Sequence, residues 1–365
     1  KASQMRDSRK MRMSRCDQTS YPEARENQVK ALIDTNGSPT LNMPMETTVE
    51  TPEVRLQFGQ SVSRCVREEQ ILRLDLAVPL LAGEAQEQVC LRDEVTSLDK
   101  VGSFHLLRGL CGEVCAGMAI VPCAGLAEAE SYQLYRQLLE IVGDQEIYRV
   151  WHFIPGINAE TDGLEHYRSF NIGRCRAFRE SFGSETLAAH LPAASAVGTE
   201  DSHLAVIFTS GRDSVQYFEN PNQVPAYQYP EQYGPCSPSF ARGAVVSHRD
   251  GGRTGFLSGT ASIRGHESVA RDDVAAQLDV TMENVATMLD RMDFRSALDN
   301  HSPVQTQFRI YLRHAEDLPT VQARFESIVG PEIAGTTLFL KADICRADLR
   351  LEIEGVFEEP TGSGR

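Results

Sequence analysis

Two apolar rhythms alternate in blocks along this chain, one of period two and one of helical period. Short β-type runs come first, at residues 54–58, 71–78, 104–110 and 116–121. A helical stripe follows, carried by Leu134, Leu138, Leu139, Ile141 and Val142 and closed by Gly143. Residues 146–154 return to an aromatic and β-branched strand pattern, with the sole tryptophan, Trp151, expected in the core, and the run stops at Pro155-Gly156. A second helix opens at Gly163 and carries Leu164, Tyr167, Phe170, Ile172 and Phe178. Strands are expected again at 203–209 and 215–218.

The same kind of unit returns after residue 255. A strand over 255–263 precedes a helical face of Val274, Leu278, Val285, Met288 and Leu289. A strand over 305–312 precedes a helix marked by Val321, Phe325 and Ile328 and ended by Gly330, and two strands, 337–344 and 349–357, close the chain. The order β, α, β, α, β, β implies an α+β architecture, a sheet covered on one face by two helices. In the last strand Leu349, Leu351, Ile353, Val356 and Phe357 interleave with Arg350, Glu352 and Glu354. Two glutamates on one strand face ordinarily mark a solvated face; the alternative is a carboxylate directed into a cleft.

Length and composition bound the rest. A chain of 365 residues calls for more than one small core. We divide it into a polar, Met- and Arg-rich tail over 1–51, an N-terminal domain over 52–200 and a C-terminal domain over 201–365. The basic bias of the tail mimics a transit peptide, but Asp7 and Asp17 and the lack of an apolar face count against one. No apolar run is long enough to span a membrane. The net charge of −15 disfavours nucleic acid and anionic membranes as partners, because these need a basic stripe. It does not exclude an anionic substrate held by a few buried arginines. Nine cysteines, an odd number with none at Cys-x-x-Cys spacing, read as reduced thiols in a cytoplasmic protein.

One segment has no period. Residues 219–247 contain Pro221, Pro225, Pro230, Pro235 and Pro238, which fix φ and remove backbone donors, so the segment is an ordered irregular loop. Its Tyr227, Tyr229, Tyr233 and Phe240 argue for burial over a site. Arg168 and Arg174 flank the apolar stripe of the second helix and are expected to lean inward; Arg176 and Arg179 are not.

These segments carry two nested resemblances. Phe256-Leu-Ser-Gly-Thr-Ala-Ser-Ile263, Val274-Ala-Ala-Gln277, Glu283-Asn-Val285 and Leu351-Glu-Ile-Glu-Gly355 resemble a YjgF-like domain, so the fold implied is two tandem YjgF-like domains of mixed sheets covered by helices. Small members are imine deaminases with an arginine at the position of Thr337, and that departure breaks the deaminase site here. More specifically, Tyr148-Arg-Val-Trp-His-Phe-Ile-Pro-Gly-Ile-Asn158, Gly163-Leu-Glu-His-Tyr-Arg-Ser-Phe170 and Leu191-Pro-Ala-Ala-Ser-Ala-Val-Gly198 resemble chorismatases. So do Glu219-Asn-Pro-Asn-Gln-Val-Pro-Ala-Tyr227, Tyr233-Gly-Pro235 and Ser237-Pro-Ser-Phe-Ala-Arg242.

The resemblance implies cleavage of chorismate to pyruvate and a cyclohexadiene or hydroxybenzoate. Such a substrate is a small dianion with an enol ether, so its site needs cationic clamps and one acid. Arg168 and Arg242 are the first clamp candidates and Arg174 the third, since a guanidinium pairs bidentately with carboxylate. Tyr227, Tyr229 and Tyr233 can donate hydrogen bonds while their rings exclude water. Glu352 is the candidate acid, its pKa raised by burial and by Glu354. Gly259 and Cys345 resemble the subtype that yields 3-hydroxybenzoate. A missing methyl at 259 would let the ring sit deeper, and the thiol at 345 could shuttle the proton released on aromatisation; the bland reading of Cys345 is a small buried hydrophobe. No cofactor or metal is required. The competing reading is a non-catalytic YjgF-type module that binds a small carboxylate or assembles with a partner. Small members of that fold are trimers, but two domains in one chain can replace the contact, so the expected state is a monomer or small homo-oligomer.

Overall fold

The closing strand behaves as its alternation dictates, and the rest of the fold is best understood from it. In the computed structural model, which describes residues 51–89, 91–92 and 95–360, it spans Leu351–Glu358. Leu351, Ile353 and Phe357 enter a core shared with helices, while Glu352 and Glu354 face the opposite way and are also buried. The expected tail lies almost wholly outside the described residues.

The first large sheet has six strands: β1 (Val95–Val101), β2 (Phe104–Gly109), β3 (Val114–Pro122), β4 (Glu146–Pro155), β5 (Ala193–Thr199) and β6 (His203–Gly211), in the order β5-β4-β6-β3-β2-β1. Helices α1 (Glu128–Val142) and α2 (His166–Phe182) cover one face, with Leu134, Leu138, Phe170 and Phe178 packed on Val150, Ile154, Val206 and Phe208. The pattern of α1 and α2 predicted this directly. β5 had no such signal: its Ala-Ala-Ser-Ala-Val-Gly-Thr run is buried on both faces, so nothing alternates. It pairs in parallel with β4 across the α2 crossover.

The second sheet runs β7 (Ser214–Phe218), β8 (Gly243–Ser247), β9 (Arg253–Thr260), β12 (Leu351–Glu358), β10 (Gln305–Leu312), β11 (Leu338–Lys341), with Leu80–Ala82 on its edge. Helices α3 (Val274–Arg291), α4 (Leu318–Val329) and α5 (Pro331–Thr336) cover its outer face. Asp273 caps α3 by accepting from the amides of Ala275 and Ala276 at 2.9 and 3.0 Å. The change of sheet falls between Gly211 and Ser214, later than the expected boundary at 200/201, because β6 is drawn between β3 and β4 by its hydrogen bonds. The end of the expected loop, 243–247, is strand β8, edge-paired with β7.

The inner faces of the two sheets pack on each other through Met118, Trp151, Phe153 and Ile207 on one side and Val246, Phe256, Tyr311 and Leu340 on the other. A small four-stranded sheet built on Glu53–Gln57 and Ile71–Asp75 closes one end of this core. The architecture is therefore α+β, two mixed sheets with helices on their outer faces. Among the described residues no helix is long and apolar enough to cross a membrane.

Candidate active site

A cavity of about 350 Å³ opens where edge strand β5 meets the second sheet. The seam is tight: the Ala194 amide donates to Ser258 Oγ at 2.9 Å, and Ser258 donates to the Ala241 carbonyl at 2.6 Å. Beside it, β9 is bulged. Leu257 pairs with Gly355 and Thr260 with Ile353, so Ser258 and Gly259 together oppose Glu354. The bulge brings Gly259 against Glu352, where a Cβ would stand 2.1 Å from Oε1. Glycine at 259 is thus a condition for the position of Glu352.

Glu352 lines the cavity at 3% exposure, and its Oε1 is buried without a hydrogen-bond partner. Burial and then the charge of Glu354 push its carboxyl up to about 8, against the pull of Arg149 and Arg242. Glu354, two residues along, is the opposite case. Burial opposes its charge, but Arg149, Arg309, Ser195 and Tyr311 outweigh it and hold the carboxyl below the usual range. Two carboxyls on one strand face are thus driven apart, one to the acid and one to the ionised form. Cys345 lies 3.9 Å from Glu352 Oε2, and burial, followed by Glu352, pushes its thiol up to about 12. It stands there as a thiol and not as a thiolate.

The facing wall is cationic. Arg242, 5% exposed, donates to the Tyr229 hydroxyl at 2.6 Å, and Arg174, 1% exposed, donates to Asn171 Oδ1 at 2.6 Å. Each retains a buried Nε without a partner, and both guanidiniums lie against the Phe240 ring. Buried guanidinium N–H groups without a partner beside a cavity favour an anionic ligand that can complete their hydrogen bonds after a small side-chain shift. Arg346 adds a third: it stacks over Tyr233 at 4.1 Å and Tyr229 at 5.0 Å, donates to the His266 carbonyl at 2.8 Å and keeps Nη2 open. Tyr233 donates to the same carbonyl at 2.6 Å, which fixes the loop over the site.

Of the residues singled out in the sequence, Glu352, Cys345, Gly259, Arg168, Arg174, Tyr229, Tyr233 and Arg242 line the cavity. Arg168 does so from the rim, its side chain 42% exposed and paired with Glu165 at 3.1 Å. Tyr227 does not line it. It sits in the 3₁₀ turn Ala226–Gln228 and packs on the helix-side core, because that turn sends residues two apart to different surroundings. Thr337 is also remote, its hydroxyl donating to the Ile333 carbonyl at 2.8 Å at the end of α5. Arg346 and Tyr167 line the cavity and Arg149 stands behind it, bonded to the lining Ser195, and the sequence reading assigned none of them to the site. Arg149 could have been found as the one cationic guanidinium in a strand whose neighbours Ile147, Tyr148, Val150 and Trp151 are apolar or aromatic.

A cavity that combines a buried carboxyl pushed up toward neutrality, arginines with unpartnered buried nitrogens and three tyrosines suits a small polyanionic ligand and a proton donor beside it. The comparisons name the class. Residues 110–210 match the family described as Chorismatase FkbO/Hyg5-like, N-terminal. The chain is 32% identical over 252 residues to a 3-hydroxybenzoate synthase of Streptomyces hygroscopicus, covering 66% of this chain and 72% of that protein. It is 36% identical over 251 residues to a chorismatase of Streptomyces rapamycinicus, covering 66% and 73%. A chorismatase crystal structure superposes with a TM-score of 0.70 at 25% identity, over 87% of this chain and 96% of that one. The chain belongs to the chorismatase family.

Proposed function

We propose that this protein cleaves chorismate to pyruvate and 3-hydroxybenzoate, with Glu352 as the acid. The observation that carries the reading is a buried carboxyl, kept neutral near pH 7 and without a partner at Oε1, in a cavity whose other walls are arginine and tyrosine. Arg174, Arg242 and Arg346 hold the two substrate carboxylates, and Arg168 guards the rim. Glu352 delivers its proton to the methylene carbon of the enolpyruvyl ether, and the resulting oxocarbenium is captured by the ring's own 4-hydroxyl or by water. Capture within the substrate leads to pyruvate and 3-hydroxybenzoate with no net water consumed. Capture by water consumes one and leaves a dihydroxycyclohexadiene carboxylate. A pocket that excludes water favours the first route.

The thiol of Cys345, within reach of the Glu352 carboxyl, is placed to relay the proton that aromatisation releases. We read the two sheet-and-helix halves as tandem domains, the second carrying the acid, and the site as complete within one chain. Incubation with chorismate, followed by pyruvate determination and product chromatography, tests the whole reading. Pyruvate with an equal yield of 3-hydroxybenzoate is expected. Binding of chorismate without pyruvate release would instead establish a non-catalytic carboxylate-binding module.

A further inference from the structure

Behind the acid lies a buried ionic chain that substrate does not reach. Arg149 Nη2 donates to Glu354 Oε2 at 2.6 Å, and Arg309 Nη1 donates to Glu354 Oε1 at 2.8 Å. The Tyr311 hydroxyl donates to the same Oε1 at 2.9 Å. Arg309 turns its other edge to Glu87, with Nε 2.5 Å from Oε2 and Nη2 bonded to Oε1. The four charged side chains are each at most 6% exposed. They come from three sheets: Glu87 from the small sheet, Arg149 from β4, and Arg309 and Glu354 from β10 and β12. Trp151 lies between the arginines, with guanidinium carbons 5.0 and 5.5 Å from its ring centre. Two carboxylates and two guanidiniums cancel in formal charge, so the chain can be buried as a unit, whereas removal of one member leaves a charge uncompensated.

We propose that Glu354 is a positioning residue whose fixed negative charge, clamped by Arg149, Arg309 and Tyr311 and balanced through Arg309 by Glu87, keeps the neighbouring Glu352 carboxyl in its proton-carrying form. This rests on the reading of Glu352 as the acid. The groups that face Glu352 are Glu354 on its own strand, Arg149 from β4, Arg242 from the loop before β8, Cys345 from the loop before β12 and Tyr167 from α2. Glu354 is the one carboxylate among them, and the two arginines pull the other way. The clamp on Glu354 matters because two unclamped neighbouring carboxyls would share one proton between them. With Glu354 held ionised by two cations and a phenol, the proton belongs to Glu352, on the cavity side.

The pH profile of kcat/KM with chorismate, measured on the full chain from pH 5.5 to 10, tests this. Wild type is expected to lose activity as Glu352 deprotonates, with a midpoint near the value of about 8 to which burial and Glu354 push its carboxyl. Glu354→Gln is expected to move that midpoint down by about one unit or more, the scale of a neighbouring like charge. Glu354→Asp disturbs the packing as much but keeps the charge, and it is expected to retain the wild-type midpoint. An unmoved midpoint in folded Glu354→Gln, or an equal fall in Glu354→Asp, would overturn the proposal. Should Glu354→Gln fail to fold, Glu87→Gln carries the test from the far end of the chain. It leaves Arg309 to Glu354 alone and is expected to shift the midpoint downward by a smaller amount, and no shift would again overturn the proposal. The acid assignment fails separately, through undiminished pyruvate release in Glu352→Gln.

Discussion

Gly259 and Glu352 meet across the bulge of β9 so closely that no side chain fits at 259 without moving the acid. The missing methyl was expected to make room for the substrate ring. In the structure, the room it makes is occupied first by the Glu352 carboxyl group. Glycine at this position is therefore expected to act through the acid's placement as well as through the depth of the ring.

Gly259→Ala is accordingly expected to displace Glu352, lower kcat/KM by ~10-fold or more, and raise the share of the non-aromatic diene among the products. Chromatography of the product mixture beside a pyruvate assay checks both parts. An unchanged rate with a changed product ratio would leave only the ring-depth explanation.

Glu352→Gln keeps the shape of the acid but not its proton, and turnover is expected to fall ~10²–10⁴-fold with chorismate binding retained. Stability responds as well. The folded carboxyl titrates near 8 and the unfolded one near its ordinary value of 4.5, so between these the folded state binds the extra proton. The stability it supplies is present at low pH and is lost as pH rises through about 8. Denaturant titrations should show the wild type weakening across that window and Glu352→Gln lacking this component.

Arg242→Ala and Arg346→Ala are each expected to weaken binding of the benzoate product by more than ~1.4 kcal/mol, the loss of one charge-assisted hydrogen bond. Calorimetry at fixed ionic strength reads this directly. An Arg346→Ala variant with wild-type affinity would remove Arg346 from the ligand set.

Tyr227 and Tyr229 separate cleanly by one conservative change. Tyr229→Phe removes the phenol that orients Arg242 and should raise KM several-fold, whereas Tyr227→Phe should stay within about twofold of wild type. Equal effects at the two positions would contradict the division of the loop seen here.

Periodicity was enough to place α1, α2, α3 and α4 and the closing strand, because each shows one apolar face to a core and its spacing records that face. Among the strands of the two large sheets it missed β1, a largely exposed edge strand, as well as β5 and β8. β5 is small-residued and buried on both sides, and β8 is hidden at the end of a proline-rich segment whose irregularity stops at Arg242. Among the residues that line the cavity, the tyrosines and Arg242 of the loop stood out by their density in a proline-rich segment, whereas Glu352, Gly259 and Cys345 were singled out through the resemblance to chorismatases.

The sequence by itself determined that residues 351–357 form a two-faced strand and that the chain is an α+β protein, and its motifs marked it as a member of the chorismatase family. The resemblance pointed to Glu352 as the acid, but only the tertiary structure supplies the physical reason, pushing the Glu352 carboxyl up and the Glu354 carboxyl down. The two differ by two positions on one face, and local sequence treats them alike. What separates them is Arg149, Arg309 and Tyr311, brought to Glu354 from β4 and β10, while Glu352 is left facing the cavity. A pKa is set by charges in space, and these partners are distant in the chain and adjacent only once the two sheets have packed.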